Sequence, residues 1–125
     1  MKKLSPILLC AAACALIETR TAQTFYTPIK NDGSVSAEEI GDRIFKSAER
    51  SGWNPRRDGK GRIIATHTED RREVRVAITY TDRYYTIEYK ASFGMDYDEK
   101  FRTANADYNE WVGFLNHTIA GDMED

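Results

Sequence analysis

Histidine, cysteine and proline are scarce in this 125-residue chain, at two, two and three copies. The two histidines, His67 and His117, have no second His or Cys at ligand spacing, so the usual zinc donor sets are missing and neither a metal nor a cofactor is expected. There is no apolar run of the ~20 residues that a spanning helix needs, which excludes a mature transmembrane segment. Phosphate loops are missing too: Asp58-Gly59-Lys60-Gly61 precedes a strand and lacks the required spacing. No nucleophile elbow surrounds any serine. The length excludes a multidomain enzyme. What the chain does have is 41% hydrophobic and 11% aromatic residues, enough to bury one core and too much for a disordered protein.

The N-terminus reads as a secretory leader. Met1-Lys2-Lys3 forms a short positive region, and the mostly apolar residues 4–13 end in Ala11-Ala12-Ala13. Cys14 follows at once, and Ala11-Ala12-Ala13-Cys14 resembles the lipobox of bacterial lipoproteins, with Ala11 where Leu is usual. That resemblance implies removal of residues 1–13 and acylation of Cys14. The alternative is an ordinary leader cut after Ala13 or Ala15. Cys10 would leave with the leader, so Cys14 would be the sole cysteine of the mature chain, unable to form an internal disulfide. Ala15 after the cysteine resembles the outer-membrane-directed pattern, so the expected location is the periplasmic side of the outer membrane. The mature chain would carry 16 positive and 20 negative residues, a net −4, which argues against a nucleic-acid partner.

Residues 14–34 show no helical or strand period and read as the lipidated end and a flexible tether, with docking of Phe25, Tyr26 and Ile29 on the domain as the alternative. Residues 35–121 are the expected domain, followed by a tail at 122–125. Ser36-Ala37-Glu38-Glu39 fits a capping box, flanked by the staple positions Val35 and Ile40, and predicts a helix over 37–51 that stops at Gly52. Asn54 to Gly61 reads as a loop. Three strands follow. A turn at Asp82-Arg83 pairs Val74 with Ala91, Val76 with Tyr89, Ile78 with Ile87 and Tyr80 with Tyr85 on one face. A turn near Asp70-Arg71 sets Ile63, Ala65 and His67 opposite Ile78, Val76 and Val74. A long helix over 97–120, capped by Asp96 and Glu99, carries the stripe Phe101, Tyr108, Trp111, Val112, Leu115 and Ile119. The expected fold is α+β, a two-layer α-β-β-β-α sandwich in which both helices cover one face of a three-stranded antiparallel meander.

Gly52-Trp53, Ile87-Glu88-Tyr89 with Ser92, and Tyr108-Asn109-Glu110-Trp111-Val112 resemble an uncharacterised family of small bacterial envelope lipoproteins, over about residues 40–119. The resemblance implies this fold and compartment and carries no catalytic residues. Where similar proteins often have Ile-His, this chain has Phe101-Arg102.

Two functional classes follow. In the first, the domain is a non-catalytic envelope module, bound to the membrane by its anchor and to an envelope protein or cell-wall component by the open sheet face or its edges. Its candidate binding residues are Arg56, Arg57, Arg62, Arg75 and Lys90, with Arg75 directly opposite Lys90 and Glu88 diagonal to it. In the second, His67 and nearby acids form a small periplasmic hydrolase, which demands a hollow around His67; Ser92, His67 and Asp70 are the nominal trio. Tyr108, Asn109 and Trp111 read as core stripe plus a loop-binding amide.

Overall fold

The computed structural model describes residues 18–124. Cys14, the leader and the first residues of the tether lie outside them. The element order is β1 (Thr19–Thr21), β2 (Phe25–Pro28), α1 (Ala37–Arg50), β3 (Asn54–Arg57), β4 (Arg62–Glu69), β5 (Arg72–Tyr80), β6 (Tyr84–Phe93), β7 (Thr103–Asn105) and α2 (Asp107–Met123). The fold is α+β. The meander β4-β5-β6 forms as expected, but inside a five-stranded antiparallel sheet of order β2-β6-β5-β4-β3, with β1 and β7 as a separate pair.

Helix α1 starts where its capping box places it, with the Ser36 hydroxyl accepting from the Glu39 N–H at 3.1 Å. It ends on Gly52, whose φ of 87° lets Trp53 turn back and donate to the Ala48 carbonyl at 3.0 Å. Ile40, Ile44 and Ala48 bury one stripe. Against them lie Ile63, Ala65, Val74, Val76, Ile78, Tyr85 and Ile87 from one sheet face, and Tyr108, Val112, Leu115, Ile119 and Met123 from α2, in a single core. Alternation along the strands selects that face, so the register matters.

The register matches the expected one at Tyr80↔Tyr85, Ile78↔Ile87 and Val76↔Tyr89, and then slips. Val74 faces Ser92, and Arg75 faces Ala91, because Lys90 is an extra residue in a β-bulge. The Arg75–Lys90 pair is therefore corrected. The β4–β5 turn at Asp70 and Arg71 places both residues at positive φ, 52° and 61°, the twist that a two-residue hairpin needs.

Three other expectations are corrected. The segment read as a tether is fastened to the domain from Glu18 onward. The Glu18 carbonyl accepts from Ala106 N–H at 2.9 Å, Ala22 N–H donates to Arg102 at 2.8 Å, and β2 pairs with Tyr84–Ile87 of β6. Ile29 is buried and Phe25 packs against the core, while Tyr26 stays exposed and stacks on Tyr84 at 5.1 Å. The segment Asn54–Arg57, read as loop, is a short edge strand; Pro55 is tolerated because an edge position needs only half of its backbone groups paired.

The long final helix starts ten residues later than its stripe suggests. Asp96 and Arg102 adopt positive φ, 53° and 55°, which an α-helix excludes. Asp98 and Thr103 close a bridge there instead, and Asp98 caps the Phe101 N–H. Phe101 is 65% exposed, outside the core stripe. At its other end α2 passes Gly121, since Met123 is buried and Asp122 pairs with Arg50 of α1 at 2.6 Å. Asp122 and Met123 thus belong to the helix and not to a tail.

Candidate functional site

The expected basic face assembles in part: Arg56, Arg62 and Arg75 share the sheet side that carries Ile64 and Ala77, and Arg57 does not. Arg57 stands opposite the core residue Ile63 on the helix side, where it pairs with Asp42 at 2.6 Å and lies over the Phe45 ring at 5.1 Å. Arg62 pairs with Asp58 at 3.1 Å and Arg75 with Glu73 at 2.9 Å. Compensation for Arg75 comes from its own strand; Glu88 faces Ala77. Arg56 is exposed on the edge strand opposite Ile64, and Lys90 is exposed at the bulge. The face also holds Ile64 and Ala77, paired with each other and only 3% and 5% exposed. The edges are blunted as well. Strand β3 carries Pro55 and two arginines, β2 ends in Pro28, and the stretch of β6 beyond β2 holds the bulge and Lys90, all features that discourage strand addition.

The structure instead brings together three distant segments around His67. The end of α1 supplies Ser51 and Trp53, β4 supplies His67 and Glu69, and the first turns of α2 supply Glu110, Trp111 and Phe114. They line an open groove of about 410 Å³. Each part arrives for a local reason. Trp53 is delivered by the glycine stop of α1, His67 by its place opposite Val74, and Trp111 by the core stripe of α2.

The groove is aromatic with an acidic rim. The His67 ring lies 5.2 Å from Trp53 and meets Trp111 edge-on at 4.8 Å. Its Nδ1 lies 3.3 Å from the Gly52 carbonyl and its Nε2 3.2 Å from Glu69 Oε1, so both ring nitrogens face oxygen acceptors. One face of Trp111 is covered by the Arg72 guanidinium at 4.7 Å, itself held by Asp107 at 2.9 Å. Phe114 is 59% exposed beside them.

The remaining expected residues are placed elsewhere. The Ser92 hydroxyl is hydrogen-bonded to Tyr89 Oη at 2.8 Å and lines a different hollow, beside Lys90 and Arg102. Asp70 occupies the β4–β5 turn and His117 is exposed on α2. Among the described residues no group of three or more His, Cys, Asp or Glu could hold a metal ion. Tyr108 is core, and burial pushes its phenol well above the ordinary tyrosine range. Asn109 clamps the N-terminal strap, donating to the Thr21 carbonyl and accepting from Gln23 N–H, both at 2.9 Å. A larger hollow, about 630 Å³, opens between Tyr80, Arg57, Gly61 and Asp82. Of the two cations that line it, Arg57 is paired with Asp42 and Lys60 is exposed, both at the surface.

No described helix is long and apolar enough to cross a membrane. Comparison with protein-family models, with curated proteins and with solved structures finds no match to this chain.

Proposed function

We propose that the protein is a membrane-tethered, non-catalytic binding module of the bacterial envelope, anchored through acylated Cys14, and that the Trp53–His67–Trp111 groove is its recognition site. The domain is read as two layers, with both helices over one sheet face. The groove carries this reading: it sets two tryptophans and Phe114, aromatic side chains being the commonest interaction anchors, beside a polar rim at the surface. A binding role is favoured over a hydrolytic one because both nitrogens of His67 are engaged by Gly52 and Glu69, leaving no ring nitrogen directed at a substrate. The Ser92 hydroxyl serves a different hollow.

The strap changes what the anchor would do. A free tether of twenty residues would reach some 65–70 Å, whereas residues 15–18 alone reach about 13–14 Å at full extension. An acylated Cys14 would therefore hold the domain against the bilayer surface, and its partners would be membrane-proximal. Position-specific photo-crosslinking tests the site. A photo-reactive residue replacing Phe114 should form adducts in intact cells, and one replacing Thr79 on the opposite sheet face should not. Adducts from Thr79 alone would refute the groove.

A further inference from the structure

We infer that the groove recognises the cationic side chains, lysine or arginine, of an extended basic peptide; this rests on the groove being the recognition site. The polar rim decides the sign of the ligand. Glu69 and Glu110 are both exposed at the rim, and the one cation-forming side chain between them, His67, is already turned to Glu69 and the Gly52 carbonyl. An anionic ligand would meet two carboxylates, and a purely apolar one would strip water from them with nothing in return.

The molecule also contains the matching interaction in its own structure. Arg72 lays its guanidinium on Trp111 and reaches the carboxylate of Asp107. An aromatic wall backed by a carboxylate is the chemistry that holds an organic cation. The groove repeats that pairing with Trp53, Trp111 and Phe114 against Glu69 and Glu110. A lysine or arginine suits it because the aliphatic stem can lie along exposed Phe114 while the charged head meets the carboxylates. The open shape favours a side chain entering from a passing peptide over an enclosed small molecule, and the net negative charge of the mature chain favours a basic partner.

The test uses the only two tryptophans of the chain, both of which line the groove, so their two indole N–H resonances report on it. The acylation-free domain, residues 15–125, is titrated with the acetylated, amidated pentapeptide Gly-Lys-Gly-Lys-Gly and with its glutamate counterpart. The lysine peptide should shift both indole signals saturably and the glutamate peptide should shift neither. The double variant Glu69→Gln, Glu110→Gln, which keeps hydrogen-bonding side chains at exposed positions, should weaken the lysine peptide at least tenfold with the remaining spectrum unchanged. Phe114→Ala should weaken it several-fold. Equal response to both peptides, unchanged affinity in the double variant, or no indole shift at millimolar lysine peptide would overturn the inference. Adducts at position 114 in cells alongside any of these results would leave the groove as the site and remove only its cationic ligand.

Discussion

Replacing Gly41 with alanine reads the packing between α1 and the sheet directly. In an exposed helix the change stabilises by about 1 kcal/mol, since glycine has the greater backbone entropy to lose. At Gly41 the new methyl would lie 2.5 Å from Cζ and 2.7 Å from Cε1 of Tyr80, and closer still to its hydroxyl. Tyr80 is only 7% exposed, so its ring has little room to yield. Overpacking of this kind costs about 1–3 kcal/mol, so the net expectation is a loss of about 1 kcal/mol. Gly113 on α2 is the control, because a methyl there meets nothing within 4 Å and should give the full gain. Urea unfolding of the two variants should therefore separate them by about 2 kcal/mol, with the wild type between. Leucine at position 80 should relieve the clash and restore part of the gain to Gly41→Ala in a double-mutant cycle. A stabilised Gly41→Ala in the wild-type background would refute the packing.

Four further outcomes follow from buried or bridging polar groups. Tyr108→Phe should be neutral or stabilising by urea unfolding, because the buried Tyr108 hydroxyl has no hydrogen-bond partner among the described residues. Tyr85→Phe, which breaks a 2.8 Å bond to Asn116 Oδ1, should instead cost about 1 kcal/mol. Hydrogen bonds from Ser47 and Arg50 to the ionised Asp122 lower its pKa below the ordinary 3.8. Their contribution is thus complete above that value and is lost as pH falls through the lowered one, so Asp122→Asn should flatten the acid limb of stability below about pH 4. Asn109→Ala should speed hydrogen exchange in residues 19–28 relative to the β4–β5 hairpin, since it removes both bonds that clamp the strap. Unchanged exchange would mean that the β1–β7 and β2–β6 pairing holds the strap unaided.

The parts of the fold that can be read from sequence are those in which local chemistry and period agree. Ser36 and Glu39 mark the start of α1, Gly52 marks its end, and the alternation from Ile63 to Ile87 sets most of the sheet register. The slip at Lys90 is invisible to alternation, since a bulge inserts one residue without changing the apolar count. Strands β1, β2, β3 and β7 are three or four residues long, too short to show a period; β1, β2 and β7 form through partners far along the chain, and β3 through a hairpin with β4. In the 97–106 segment, Phe101 falls in phase with the helix by coincidence, while the bridge between Asp98 and Thr103 and the strand pairing of Thr103–Asn105 decide the backbone.

The groove was legible only in pieces. Trp53 folds back after its glycine, His67 lies at the end of the core-facing row and Trp111 rides the α2 stripe, as each local pattern indicates. Their convergence is tertiary. Of the basic cluster, alternation places Arg62 and Arg75 on one side of the sheet, but it does not show the carboxylates Asp58 and Glu73 that pair with them, nor that Arg57 turns to Asp42.

Anchoring at Cys14 is decided by intact mass spectrometry of the mature protein from its native host, beside a Cys14→Ala variant. The wild-type chain should begin at Cys14 and carry acyl mass, which the variant lacks. A wild-type chain beginning elsewhere without lipid would contradict it and make the protein a freely diffusing periplasmic domain.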